Sequence, residues 1–292
     1  MRKSVLWLSM AAMCLTLLSI PTFAQEPMGP PKVLNIIREE VKTGKNFAHD
    51  QNETAWLQAF VKAKYTTPML TISAVTGPAE EWFLVGYDSF ASLEKMNEEM
   101  AKNAAWRNIN MTYGSKEADL ISDSRTITAR FRPEYSYKPN INVGEYKYFA
   151  VNVIRFRLGE DIDAYYKAIN GAREKASLDT HVAVYSVNSG MPAGTVISFT
   201  PIKSMAEWDS PPNEAYQAAL KDIGWSQMVA KAILNVDPRL YAFTPEQSNP
   251  SKEMVAANPE FWKPKAAMAK KAAATGQVTA AAKKETKAAD KK

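Results

Sequence analysis

The apolar positions along this chain change period several times, and each change predicts an element. Val33-Leu34-Asn35-Ile36-Ile37 is short and rich in β-branched residues, which predicts a strand, broken by Gly44. Phe47, Trp56, Leu57, Phe60 and Val61 then recur at helical spacing. Pro68 precedes a strand over 69–75, Gly77-Pro78 signals a turn, and 82–87 is the next strand. Ser89 is placed to cap a helix with Phe90, Leu93 and Met96 on one face. After an irregular stretch, 124–131 closes the series as a strand, giving the order βαββαβ.

The second half repeats that order. Strands are predicted over 146–156, 181–187 and 195–200, with a turn over 190–194. Ile162, Tyr165, Tyr166 and Ile169 mark a helix face between the first two. Ser204 opens a helical region interrupted at Pro211-Pro212, 216–236 reads as helix, and 240–243 closes. Two landmarks keep one offset of 115 residues. Val41-Lys42-Thr43-Gly44-Lys45 matches Phe156-Arg157-Leu158-Gly159-Glu160, and Ser89-Phe90-Ala91-Ser92-Leu93 matches Ser204-Met205-Ala206-Glu207-Trp208.

A βαββαβ unit is the ferredoxin-like arrangement, an antiparallel sheet with both helices on one face. In the first strand Leu34 and Ile36 would face the helices, and Asn35 and Ile37 the other way. Phe149, Val151 and Val153 alternate with Ala150, Asn152 and Ile154 in the second half. Both faces are thus largely apolar and both need cover. The natural cover for each sheet is its twin. The expected fold class is α+β: two ferredoxin-like βαββαβ repeats forming an intramolecular dimeric-type α+β barrel. The expected organisation is a signal peptide over 1–24, an N-terminal linker over 25–32, a first repeat over 33–132, a linker over 133–144 holding two prolines, a second repeat over 145–246, and an extension over 247–292.

Composition adds location. The N-terminus is Met1-Arg2-Lys3, an apolar run from Val5 to Ile20, then Pro21-Thr22-Phe23-Ala24. A basic start, an apolar stretch shorter than a membrane span and small residues before a cut after Ala24 predict an exported protein, periplasmic or extracellular. The single Cys, Cys14, lies inside that segment, so no disulfide, thiolate nucleophile or thiolate-bound metal is expected in the mature chain. The net charge of +5 belongs to the ends. Residues 263–292 hold 9 Lys and 11 Ala, and the remaining body is mildly acidic. A nucleic-acid partner is therefore not expected; the tail suits an anionic envelope surface, or a plain solubilising extension.

The element order, with its strand–Gly–helix and strand–Ser–helix junctions, resembles the dimeric α+β barrel superfamily in a tandem, single-chain form. NIPSNAP-like proteins and antibiotic-biosynthesis-type monooxygenases are its nearest members in feel. That resemblance implies a cavity between sheet and helices or within the barrel, and implies no particular reaction. Some members bind haem through a helical histidine. His181 is placed on a strand, so the match fails on context and no cofactor is expected.

Candidate chemistry is sparse. His49 and Glu53 are four residues apart on a predicted helix and share a face, with Trp56 continuing the stripe. His181 and Tyr185 are four apart at the start of a strand, and Asn35 and Asn152 occupy the two first strands. These seven, Asn35, His49, Glu53, Trp56, Asn152, His181 and Tyr185, are the candidate ligand-binding residues, against a plain reading as core and surface residues. No metal-ligand spacing, phosphate loop or nucleophile elbow is present. No catalytic or metal-binding residue is nominated. The expected function is small-molecule binding or a structural role in the cell envelope, with a small apolar or aromatic ligand and a monomeric or dimeric state. The alternative is a cofactor-independent monooxygenase- or isomerase-like enzyme acting on a small aromatic substrate in a barrel cavity.

Overall fold

A computed structural model describes residues 29–263. The expected signal peptide and the Lys/Ala-rich tail beyond Lys263 lie outside the described residues. The first half runs β1 (Val33–Val41), α1 (Asn46–Lys62), β2 (Met69–Ala74), β3 (Glu80–Tyr87), α2 (Phe90–Lys102), α3 (Ala104–Glu117) and β4 (Ile121–Phe131). The second runs β5 (Tyr148–Phe156), α4 (Ile162–Lys175), β6 (Ala183–Ser189), β7 (Thr195–Ile202), α5 (Glu214–Asp222), α6 (Trp225–Ala232) and β8 (Ile233–Phe243). Two short helices follow, α7 (Lys252–Ala257) and α8 (Pro259–Trp262).

Local chemistry explains most of these boundaries. Ser89 and Ser92 form a reciprocal capping box that starts α2. The stretch expected to be irregular is α3, started by Asn103, whose side chain accepts the Trp106 amide. The long helix expected over 216–236 is instead two short helices parted by Gly224, and its last residues belong to β8. Ile233-Leu234 and Val236 are β-branched or exposed, and pairing with β5 takes them into the sheet. The 133–144 stretch is not a loose connection. Tyr135 and Tyr137 are buried, and Tyr137 bridges Val182.

The strands close a barrel in the order β1-β3-β2-β8-β5-β7-β6-β4, and neighbours are antiparallel throughout. Each half supplies four adjacent strands in the same relative order, β4-β1-β3-β2 and β8-β5-β7-β6. Two seams join the halves. β2 meets β8 at Ile72–Phe243, Ser73–Ala242 and Ala74–Tyr241, and β4 meets β6 around Ala129–Val187. Closure leaves no sheet edge for another chain to pair with.

The lumen is filled by both halves. Leu34, Ile36, Ile72, Trp82, Leu84 and Ile127 pack against Phe149, Val151, Tyr185, Ile197, Phe199 and Tyr241. Leu34 and Ile36 therefore face the lumen, not the helices as the sequence suggested, and alternation sends Asn35, Ile37 and Glu39 to the helix side. In the second half the helix-side layer is apolar and aromatic: Ile154, Phe156, Tyr165, Tyr166, Val184 and Val196.

Toward one end the lumen changes from apolar to charged. Glu80, with a fully buried side chain, accepts from Arg38 Nε at 2.9 Å and Nη2 at 2.7 Å, and from Trp82 Nε1 at 3.0 Å. Arg239 Nη1 lies 2.8 Å away, and the Tyr241 hydroxyl donates to the same carboxylate. Over the other end lie α7 and α8. Trp262 is buried beside Phe243 and donates to the Gly144 carbonyl at 2.8 Å. A side chain at Gly144 would meet the Met254 backbone at 2.6 Å, so this close approach requires glycine.

Candidate functional site

Two places in the molecule gather chemistry: a cavity at the roofed mouth of the barrel and a polar cluster under α1. The cavity has a volume of about 520 Å³. Leu34, Leu84, Phe149, Phe199, Ile141 and Met254 give it apolar walls, while Asn142, His181, Ser251 and Glu253 bring polar groups. Strand ends supply the floor, and the loop before β5 together with α7 supplies the roof. His181 sits just ahead of β6, half-buried, with Nδ1 2.7 Å from the Lys138 carbonyl. A carbonyl only accepts, so Nδ1 carries a proton and donates to it, and in the neutral ring the lone pair is on Nε2. Tyr185 reaches the cavity from the lumen side of β6, between the rings of Phe131 and Phe199. Burial raises its phenol well above the usual range, so it stays protonated at any ordinary pH.

The second place lies between sheet and helices in the first half. His49, fully buried on the first turn of α1, has three carboxylates around its ring. Nε2 is 2.9 Å from Glu117 Oε1 and 3.3 Å from Glu39 Oε2, and Nδ1 is 3.4 Å from Glu81 Oε2. Glu53, one turn along α1, is buried in the same cluster. Glu39 and Glu81 stand directly opposite each other on β1 and β3, and Glu117 is the last residue of α3. Burial opposes the charged imidazole, but the surrounding carboxylates prevail and raise its pKa to about 10. Burial, then the charges of Glu39 and Glu117, pushes the Glu53 carboxyl far above its usual range. Burial also raises Glu81, to about 7. Burial would raise Glu117 as well; contact with the imidazole and Asn52 holds it below the usual range instead.

The structure divides the seven sequence candidates among several places. His181 and Tyr185 line the cavity together. His49 and Glu53 share the polar cluster, yet the closest partners of the imidazole are Glu117, Glu39 and Glu81. Trp56 is half-buried beside Tyr113 and donates to Asn110 Oδ1 at 3.1 Å, so it belongs to the α1–α3 contact and to no pocket. Asn35 and Asn152 lie on the helix side of their strands, away from the cavity, and Asn152 Nδ2 is 3.5 Å from Ser198 Oγ. Sequence reasoning missed Glu39, Glu81 and Glu117, and in the cavity Asn142, Ser251 and Glu253. One signal for the first two was present. Glutamates interrupt strand patterns that are otherwise apolar, at positions whose side chains the helices must cover.

No protein-family model matches the sequence, and no curated protein matches it. Solved structures are similar to this chain at low identity. A candidate monooxygenase of Fusobacterium nucleatum subsp. nucleatum is 11% identical, with 73% of this chain and 93% of that one covered at a TM-score of 0.47. An anthrone oxidase-like protein is 14% identical, covering 73% and 92%, also at 0.47. A chlorite dismutase variant from Candidatus Nitrospira defluvii is 8% identical, covering 79% and 98%, at 0.45. At this distance no reaction carries over from these structures.

Proposed function

We propose that this chain is an exported small-molecule-binding protein that takes a small apolar or aromatic ligand in the cavity at the barrel mouth. The observation that carries the reading is the cavity itself: about 520 Å³, apolar walls and a few polar groups at its roof and rim. That is the composition of a ligand pocket, where apolar contact supplies affinity and sparse polar groups fix orientation. We further infer that the two halves are tandem ferredoxin-like repeats, on the strength of their matching strand order and the 115-residue offset. Export rests on the N-terminal sequence, and attachment to an anionic envelope surface rests on the lysine-rich tail.

The test is a fluorescence titration with anilinonaphthalene sulfonate. Ala183 lines the cavity opposite Phe199, so Ala183→Trp fills it. The variant should weaken probe binding about tenfold or more while keeping a cooperative melt. Unchanged binding in a folded variant removes the reading. A second reading, a cofactor-independent oxygenase or isomerase, is favoured by one arrangement: an imidazole with a free Nε2 and a protonated phenol reach the same cavity. Oxygen uptake in the presence of phenolic compounds, lost in His181→Ala and Tyr185→Phe, would support it. Absence of uptake with the wild-type protein would leave binding alone.

A further inference from the structure

We propose that His49, Glu39, Glu53 and Glu117 form a buried site for one divalent first-row metal ion, with Glu81 on the far side of the imidazole. The ligand atoms of the first four residues lie within 4.8 Å of one another, and all four residues are buried. One imidazole nitrogen and three carboxylate oxygens suit Mn²⁺, Fe²⁺ or Zn²⁺ better than the all-oxygen shells of Mg²⁺ and Ca²⁺.

Three observations separate this cluster from an ordinary group of acids. Two inward carboxylate oxygens, Glu53 Oε1 and Glu117 Oε1, are buried without a hydrogen-bond partner, as are His49 Nδ1 and Glu81 Oε2 on the far side of the ring, while His49 Nε2 has Glu39 Oε2 at 3.3 Å. Glu117 Oε1 lies only 2.9 Å from His49 Nε2, yet without the alignment of a hydrogen bond. A ring nitrogen and a carboxylate oxygen so close and unaligned are spaced like adjacent ligands of a third atom, which the imidazole would bind with loss of its Nε2 proton. The outer oxygen of Glu117, by contrast, is tied down, and so is that of neighbouring Glu81. Asn52 Nδ2 donates to Glu117 Oε2 at 2.6 Å, and Ser73 Oγ donates to Glu81 Oε1 at 2.7 Å. An outer shell that fixes one oxygen and leaves the other pointing inward is how proteins orient metal-binding carboxylates.

Charge makes the same demand. Four buried glutamates face one imidazole, and no lysine or arginine pairs with any of them among the described residues. One imidazole cannot offset every carboxylate around it; those left over are costly to bury as anions, and a divalent cation would compensate them. Nor does the fold need acids here. The cross-strand pair Glu39–Glu81 of the first sheet holds the position that Ile154–Val196 holds in the second, and that second layer is apolar. The four ligand residues are at most 7% exposed, which is closer to the form of a structural metal site than to a catalytic one.

The full chain, stripped with a chelator and dialysed, is titrated with Mn²⁺ and with Zn²⁺ at neutral pH, and crystals soaked in MnCl₂ are examined by anomalous diffraction. One ion per chain is expected, with its anomalous peak between His49 and Glu117 and a raised melting temperature on loading. Asn52→Ala should weaken binding roughly 10- to 100-fold through loss of orientation at Glu117. Glu117→Gln should weaken it further. If neither ion binds at millimolar concentration, the proposal fails. An anomalous peak elsewhere, or affinity unchanged in folded Asn52→Ala and Glu117→Gln, overturns it equally. Should a variant not fold, the peak position in the wild-type crystal still decides.

Discussion

Glu80 shows how a single residue sets the character of one end of the barrel. Two arginines, an indole and a phenol all point at one buried carboxylate, so each partner depends on it. Glu80→Ala leaves Arg38 without its counter-charge inside the lumen and Arg239 with Asp237 alone. The expected cost is about 3–5 kcal/mol, seen as a lowered urea midpoint with an unchanged slope. Buried phenols give a pH signature. Burial raises Tyr87 to about 12, and burial with a hydrogen bond to Asp163 raises Tyr135 to about 12 as well. In the unfolded chain these groups ionise near pH 10. The fold holds their protons more tightly, so their contribution is whole below pH 10 and is lost as pH climbs through about 12. Alkaline unfolding followed by circular dichroism should therefore track tyrosinate absorbance in that window. Of these residues, the sequence reveals little. Glu80 and Glu81 sit next to each other, and only pleating decides that one enters the lumen and the other meets His49.

At the level of elements, the strands were legible and the helices were not uniformly so. Alternation and β-branched runs mark all eight strands, but residues 233–236 of β8 read as helix, and β1 extends through Arg38, Glu39 and Glu40, which look like a boundary until their partners are known. α1 defeats a periodicity reading because its buried face is His49, Asn52, Glu53 and Leu57, while Phe47 is 70% exposed. A helix that buries polar groups reads as amphipathic in the wrong direction. α3 was missed for a related reason: its apolar residues are few, and Asn103 supplies its start. The C-terminal helices carry no sequence signal of docking, yet Trp262 is buried against the barrel. Trp262→Ala should cost about 3–5 kcal/mol and increase protease sensitivity of the 252–263 segment, because the roof loses its only indole and the bond to Gly144. A variant as stable as the parent would show that the roof is held by other contacts.

For the whole molecule, the class was readable and the site only in part: His181 and Tyr185 were legible, Asn142, Ser251 and Glu253 were not. Two apolar faces on every first strand already required mutual cover, and the closed barrel supplies it. The rest of the site lay beyond reach because it is assembled by register and by the C-terminal roof. Asn142, His181 and Glu253 meet at one mouth only after closure. Closure also makes a strong demand on integrity. Separate expression of the chain through residue 140 and from residue 141 onward should give fragments that aggregate or self-associate, since each exposes its lumen face. Mixing them under refolding conditions should restore a single species by size exclusion. A soluble, cooperatively melting monomer from either fragment would contradict the shared core.

Because both sheets belong to one polypeptide, a substitution in this protein is written once. In a barrel built from two identical subunits, any change to the space beneath a helix would be mirrored, and a costly acidic chamber would come in duplicate. Here one half keeps an oily interior of Ile154, Phe156 and Tyr166, and the other is free to carry His49 and its glutamates. The covalent joint thus permits asymmetry: one side of the molecule can serve as ballast while the other carries the charged chamber.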